Sequence, residues 1–150
     1  MQQSQFERGS DATYQAKLTR LVGGRSPLTV LEETPAIIAG IVRTHPRERF
    51  FVRPSPDRWA PVEILGHLVD SEWVFGYRVR LVLCEDAPTI LGMDQDRWVA
   101  RQNYMERDPA ELSDFFGLLR RVNIAQWRRI ARPTARASAY TMSAAGRASR

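Results

Sequence analysis

The stretch PVEILGHLVDSEWVFGYRVRLVLC, residues 61–84, decides the fold of this chain, because it is the longest uninterrupted helical pattern in the sequence. Pro61 stands at the first helical position and Glu63 at the third, where proline and a carboxylate both favour a helix start. At 1.5 Å per residue, 24 residues make a helix of about 36 Å. No segment alternates apolar and polar residues between turn residues, so we predict an all-α fold.

Two further long helical segments flank this stretch. Residues 26–42 begin with a Ser-Pro start signal and carry an apolar pattern, in which Pro35 predicts an interruption or kink. A proline-rich loop, residues 44–59, follows. After a short amphipathic piece at residues 94–103, residues 108–130 open with Asp-Pro-Ala-Glu and place apolar side chains at three- and four-residue spacing.

These segments define one domain with two extensions. We expect residues 1–25 to form a weakly ordered N-terminal segment, residues 26–130 a helical bundle, and residues 131–150 an Arg/Ala/Ser-rich tail without an apolar face. The three long helices should pack as an up-and-down bundle that lacks a fourth helix. Its second and third helices should then expose an apolar groove, through which the chain could form a homodimer. The predicted core consists of large apolar side chains: Leu65, Leu68, Phe75, Phe115, Leu119 and Trp127.

The net charge of +5 is distributed unevenly. All 17 acidic residues stand at or before Asp114, whereas residues 115–150 contain eight arginines and no acid. The body of the domain is therefore acidic, which argues against nucleic acid as a partner. RNA or DNA binding by the arginine-rich end remains as a weaker alternative. The Arg120-Arg121 and Arg128-Arg129 pairs are interpreted as a solvated helix face.

Membrane and secretory roles receive no support from the sequence. Residues 1–11 have no apolar signal-peptide core. The longest uncharged stretch, residues 137–146, has ten residues, whereas a bilayer span needs about 18 or more. The single cysteine, Cys84, can form no internal disulfide and is interpreted as a small packing residue. We therefore expect a cytoplasmic protein.

Only two histidines are available as metal ligands or bases. His45 lies beside Pro46 in the proline-rich loop, has no partner at ligand spacing, and is interpreted as a solvated loop residue. His67 lies inside the central helical stretch, with Ser71 one turn further on. Its spacing favours a hydrogen-bonded core histidine and leaves a metal ligand as the alternative.

The other polar and aromatic residues near His67 have two interpretations each. Asp70 and Glu72 could add carboxylate ligands, but Glu72 is about 140° round the helix from His67. A surface position or an ion pair with Arg78 or Arg80 is therefore favoured for both acids. Six aromatic residues could line a pocket, although helical spacing favours the core: Trp59, Trp73, Trp98, Trp127, Tyr77 and Tyr104.

The run RPSPDRWAPVEILGHLVDSEWVFGYRVRLVL, followed by LGMDQDRWVARQNYMERDPAEL and FFGLLRRVNIAQW, resembles the DinB/YfiT-like family over residues 26–130. The specific combination is a tryptophan, an acid four residues on, a histidine eight residues on, and then D-x-E with arginines. The resemblance implies a four-helix bundle in which three histidines hold a divalent metal such as Zn²⁺ or Ni²⁺. His67 matches the first of these ligands, and the other two come from an H-x-x-x-H pair on the last helix.

Three neutral imidazoles leave one coordination position open, where a bound water or thiol becomes nucleophilic. The resemblance therefore implies metal-dependent hydrolysis or small-thiol transfer. Within these 150 residues no histidine follows His67, so the H-x-x-x-H pair is missing. Two functions stay open: a DinB-like metal-binding domain with impaired activity, or a non-catalytic helical interaction module or degraded gene product. The first predicts His67 as a metal ligand without a tight metal site.

The tail suggests a change of reading frame. Acids vanish after Asp114, and the composition switches abruptly near Ile130. Codons for residues 139–146, read one base earlier, can encode Val-His-x-Glu-Arg-Gly-Gly, which resembles the H-x-E-R-G segment before the last helix in the family. We therefore expect residues 131–150 to be an out-of-frame translation of the last quarter of the domain.

Overall fold

The computed structural model describes residues 12–130, and their side chains from residue 16 onward. This part of the chain contains α-helices and 3-10 turns and no strand, so the predicted all-α fold is confirmed. The five α-helices are α1 (Ala12–Val22), α2 (Pro27–Thr44), α3 (Pro61–Cys84), α4 (Gln95–Arg101) and α5 (Pro109–Ile130). Two 3-10 turns lie at Arg47–Phe51 and Tyr104–Glu106.

Helix α3 begins and ends where the sequence predicts. Ala60 has no side-chain group that could cap the helix. Glu63 contributes the capping interaction instead, because its Oε2 accepts a hydrogen bond from the Ala60 backbone N–H at 2.8 Å. The Glu63 carboxylate is buried and forms an ion pair with Arg53. The start of α3 is thereby tied to the loop that precedes it.

Helix α2 continues through Pro35, so the predicted interruption is wrong. A proline inside a helix lacks the N–H that would reach the carbonyl four residues earlier, here that of Leu31. The side chain of Arg120 on α5 supplies the missing donor, because its Nη1 donates to the Leu31 carbonyl at 3.2 Å. A long-range contact thus satisfies the acceptor that the proline leaves open.

Helix α1 lies in the segment for which the sequence predicted weak order. Its backbone is helical, but its described side chains contribute nothing to the core, since Leu21 is 74% exposed and Leu18 is 39% exposed. Packing against the remainder of the domain therefore contributes little to this helix, in accordance with its modest apolar content.

Helix α5 is the centre of the packing, since it contacts both α2 and α3. The first half of α3 is covered by α4 and the two 3-10 turns. Asn103, in the left-handed conformation with φ of 52°, ends α4 and directs the chain into the second turn. The buried cluster beneath these elements comprises Phe50, Ala60, Val62, Leu65, Val99, Tyr104 and Leu112.

The predicted core is correct in part. Leu65 is buried, and three other predicted core residues are partly buried: Leu68, Leu119 and Trp127. Phe75 and Phe115 were assigned wrongly, because they are 50% and 46% exposed. The reason is that polar side chains occupy the contact between α3 and α5 in this part of the bundle. Phe75 and Phe115 lie on other sides of their helices and therefore face outward. None of the helices within residues 12–130 has the length and apolar character to cross a bilayer.

Candidate functional site

His67 occupies a partly buried position in the first half of α3. Its Nε2 lies 3.4 Å from the hydroxyl oxygen of Ser71, the residue one helical turn further on. Its ring also lies against the indole of Trp59, with ring centroids 5.0 Å apart and planes tilted by 54°. The sequence-based expectation of a neighbour at Ser71 is confirmed, whereas the Trp59 contact comes from the chain just before the helix. His45, in contrast, is exposed, as predicted.

Burial lowers the pKa of His67 below its usual 6.5, and the negative charges of Asp70 and Asp96 only partly oppose this shift. The imidazole is therefore neutral at pH 7. A neutral imidazole has a lone pair that can bind a metal ion or accept a proton. His67 is thus in the protonation state that the chemistry implied by the family resemblance requires.

Asp70 is buried beside His67, so its interpretation as a surface acid or a partner of an arginine is wrong. Gln102 donates a hydrogen bond to its Oδ1 at 3.2 Å. Its Oδ2 is buried and forms no hydrogen bond of normal geometry within the described residues. The Tyr104 hydroxyl nevertheless lies close enough to the Asp70 carboxyl to lower its pKa. Burial raises the pKa of Asp70, and Tyr104 and His67 act in the opposite direction.

Gly66 allows Tyr104 to approach Asp70. A Cβ atom at residue 66 would lie 2.3 to 2.4 Å from atoms of the Tyr104 ring, so only glycine permits this contact. Burial, together with the neighbouring Asp70, raises the pKa of the Tyr104 phenol, which therefore stays protonated. The signal in the sequence was a glycine in a helix interior, where it is otherwise unfavourable.

Glu72 points away from this cluster and into the contact between α3 and α5. Its Oε1 accepts a hydrogen bond from Nε of Arg120 at 2.8 Å and lies 2.7 Å from Nη2 in the same ion pair. Asn123 donates from Nδ2 to Glu72 Oε2 and to the Glu72 carbonyl, both at 2.9 Å. The expected ion pairs of Glu72 with Arg78 or Arg80 are therefore wrong, and Arg120 is a buried residue rather than part of a solvated face.

The described donors do not fit a divalent metal ion. No group of three or more His, Cys, Asp or Glu side chains converges at metal-binding spacing between residues 12 and 130. Zinc sites usually require three or four protein ligands. Among the nearby carboxylates, Glu72 is engaged by Arg120, and Cys84 is exposed at the far end of α3, which also shows that its interpretation as a packing residue is wrong.

A cleft of about 460 Å³ lies beside α4. It is lined by Gly92, Asp94, Arg97, Trp98, Arg101 and Gln102. Since Gln102 also binds Asp70, the cleft adjoins the polar cluster around His67. The core interpretation of the tryptophans is wrong for Trp98, which is 39% exposed in this cleft, and for Trp73, which is 64% exposed.

Residues 30–146 match the DinB superfamily. Because this match covers most of the chain, the protein belongs to that superfamily, and the resemblance noted over residues 26–130 is confirmed. The match also includes residues 131–146. No curated protein matches the chain significantly.

Among solved structures, the chain is similar to YfiT from Bacillus subtilis, described as a probable metal-dependent hydrolase with an unusual four-helix bundle topology. The TM-score is 0.62 at 24% sequence identity, over 68% of this chain and 58% of YfiT. The chain thus spans less than two thirds of the length of YfiT. The likeness shows that the two proteins share the helical bundle fold.

Proposed function

We propose that this chain is a DinB-type metal-site domain in which His67 is a retained ligand, and in which metal-dependent activity is impaired. The observation that carries the proposal is the setting of His67: a partly buried imidazole on the central helix, next to the buried carboxylate of Asp70. The superfamily membership and the description of YfiT as a probable metal-dependent hydrolase support a divalent metal as the ancestral cofactor.

The ancestral reaction in this proposal is hydrolysis or small-thiol transfer, with Zn²⁺ or Ni²⁺ as the metal. Such a metal makes a bound water or thiol acidic and nucleophilic. One imidazole does not hold a divalent ion tightly, because a preformed site normally supplies three or four ligands. The described residues therefore support the fold of the site and one ligand position, and no catalytic step is assigned to them.

The test is a calorimetric titration of the full chain with ZnCl₂ and with NiCl₂. We expect no stoichiometric site with a dissociation constant below about 10 μM, because a single ligand contributes too little free energy. His67→Ala should reduce the remaining weak binding, and His45→Ala, which removes an exposed imidazole, serves as the matched control. A tight 1:1 site that His67→Ala abolishes and His45→Ala preserves would overturn the impairment. Equal weak binding by the original chain, His67→Ala and His45→Ala would show that His67 is not a metal ligand.

The second candidate function is a non-catalytic helical interaction module. It is favoured by large apolar side chains that stay exposed on the second and third long helices. On α3 these include Trp73 and Tyr77, which lie one turn apart on the same face and are 64% and 60% exposed. Soluble monomers rarely expose contiguous apolar patches of this kind unless a partner covers them. The two candidates are separable, because loss of metal binding leaves an interaction surface intact.

A further inference from the structure

The outer face of α5 carries an exposed apolar stripe. Its members are Phe115, Leu118 and Val122, which are 46%, 50% and 49% exposed, and the small residue Ala125, which is also exposed. With 100° per residue, these four side chains lie within about 80° of one another. They lie on the side of the helix opposite Arg120, which is buried against α2 and α3.

Residues of opposite charge flank the apolar stripe, one at each end. Glu111 lies on the same face one turn before it, and Arg129 lies on the same face one turn after it. Both side chains are exposed. Glu111 makes only an exposed ion pair with Arg107, which lies just before α5, and Arg129 makes no ion pair within the described residues. The face therefore reads acid, apolar residues, base, from the N-terminal to the C-terminal end.

The arrangement is symmetric about the middle of α5. Glu111 and Arg129 each stand nine residues from Arg120, Phe115 and Ala125 each five residues, and Leu118 and Val122 each two residues. When two copies of such a helix pair in antiparallel orientation about this midpoint, each member faces its counterpart. Phenylalanine then faces alanine, leucine faces valine, and acid faces base at both ends.

We propose that a second copy of this chain covers the apolar stripe, with the two α5 helices antiparallel about a two-fold axis at the level of residue 120. A two-fold interface is self-complementary, because each residue that contacts a second one is contacted by the same residue of the other copy. Large facing small residues suits close helix packing, and two Glu111–Arg129 pairs set the orientation. This inference is independent of the metal site.

The charges at the two ends of the stripe disfavour a parallel arrangement. In a parallel pair, Glu111 would face Glu111 and Arg129 would face Arg129, so that like charges would lie opposite each other at both ends. Phe115 would also face Phe115, and the small Ala125 would face Ala125 about 15 Å further along the helices, so large and small residues would no longer be matched. Charge complementarity therefore favours one orientation and one register.

The experiment is sedimentation velocity on the full chain over about 1 to 200 μM, a range chosen for a weak homodimer that buries a single helix face. We expect a concentration-dependent dimer. Leu118→Glu should raise its dissociation constant at least about tenfold, since it places a charge in the middle of the interface. Leu83→Glu is the matched control, because Leu83 is a leucine on α3, 53% exposed and outside the stripe. It should leave the dissociation constant unchanged.

Charge reversal tests the orientation. Glu111→Arg and Arg129→Glu should each weaken the dimer, by about tenfold, because each turns two attractive pairs into repulsive ones. The double variant should return to within about threefold of the original dissociation constant. Far-UV circular dichroism establishes that each variant is folded, and all four substituted positions are exposed.

Three results would overturn the proposal. The first is a monomer at every concentration, which would mean that another segment of the same chain or a different protein covers the stripe. The second is a dimer that Leu118→Glu and Leu83→Glu affect equally. The third is a double charge reversal that stays as weak as the single variants, which would exclude the antiparallel register.

Discussion

Replacing Arg120 by methionine tests whether the buried contact between α3 and α5 holds the bundle together. Arg120 is 8% exposed and connects three helices, since it binds Glu72 on α3 and the Leu31 carbonyl on α2. Its guanidinium also lies 4.8 Å from the ring centroid of Phe116 in its own helix. Methionine retains part of the apolar volume of the side chain and removes the charge and all the hydrogen-bond donors.

The expected cost follows from what the substitution leaves behind. Glu72 is 3% exposed and would keep Asn123 as its remaining hydrogen-bond donor, without a countercharge. Removing one partner of a buried ion pair typically costs about 3–5 kcal/mol, because the other charge stays buried and uncompensated. The free energy of unfolding of a domain is about 5–15 kcal/mol, so this loss is a large share of it.

The assay is urea unfolding followed by circular dichroism. With a slope of about 1–3 kcal/mol per molar urea, the midpoint of Arg120→Met should fall by about 2 M. Arg128→Met is the matched control, because the Arg128 side chain is 61% exposed in its ion pair with Glu32 and such pairs contribute about 1 kcal/mol or less. Equal shifts for the two variants would show that the buried pair contributes no more than a surface pair.

A second variant separates the two partners of Arg120. Pro35→Ala supplies a backbone N–H that can reach the Leu31 carbonyl, so it replaces one of the donors that Arg120→Met removes. We expect the change in the free energy of unfolding caused by Pro35→Ala to be more stabilising, by about 1 kcal/mol, in the Arg120→Met background than in the original chain. Additive effects would mean that the guanidinium does not compensate for the proline.

Three other predictions concern the site and the tail. Because the pKa of His67 is lowered by burial, the folded state should lose stability as the pH falls below about 6.5, where the unfolded chain binds the proton more readily; His67→Gln should reduce this slope of Tm against pH. Gly66→Ala should lower the free energy of unfolding by about 1–3 kcal/mol in urea titrations, since its methyl group would overlap the Tyr104 ring, and a compensating Tyr104→Ala should recover part of the loss. If residues 131–150 are out of frame, the nucleotide sequence read in the alternative frame should encode an amphipathic helix with H-x-x-x-H; an intact frame without such a pair would reject this explanation.

The helices that local signals define could be predicted from the sequence. Pro61 and Glu63 mark the start of α3, and Asp108 marks the start of α5, where its side chain accepts a hydrogen bond from the Ala110 N–H at 2.7 Å. These signals act over three or four residues, so no knowledge of the tertiary structure is needed. The existence and type of the three long helices therefore follow from short-range chemistry.

Long-range contacts explain the errors. The Leu31 carbonyl that Pro35 leaves without a backbone donor is bound by Arg120, which is 85 residues further along the chain than Pro35. Sequence alone does not show that an arginine will reach that carbonyl. One signal was nevertheless present, because Arg120 lies on the same helical face as Phe116 and Ile124, and a charged residue within an apolar face indicates a buried ion pair.

The candidate site was predictable in its central residue and not in its surroundings. His67 was identified from its position in a recognised pattern, whereas Gln102 and Tyr104 lie at the end of α4 and in the 3-10 turn after it, which have no spacing relation to α3. Contacts that a connecting segment makes after the chain folds back leave no periodic trace in the sequence. The role of Gln102 and Tyr104 is recognised only in the folded structure, where both lie against the buried Asp70.

The D-x-E element of α3 combines two residues with different roles. Asp70 and Glu72 are about 200° apart around the helix, so they point to nearly opposite sides. Asp70 faces the cluster of His67, and Glu72 faces Arg120. A change at Asp70 should therefore alter the electrostatics of the site, and a change at Glu72 should alter the stability of the bundle.

Two matched amide substitutions test this separation. The negative charge of Asp70 raises the pKa of His67, so Asp70→Asn should lower that pKa further in an NMR pH titration of the histidine ring protons. Glu72→Gln should leave the titration of His67 unchanged and lower the urea midpoint instead, because it leaves the buried Arg120 without a countercharge. If Glu72→Gln shifts the pKa of His67 as much as Asp70→Asn does, the two carboxylates act on one site, and the assignment of Asp70 and Glu72 to opposite sides of α3 with separate roles is wrong.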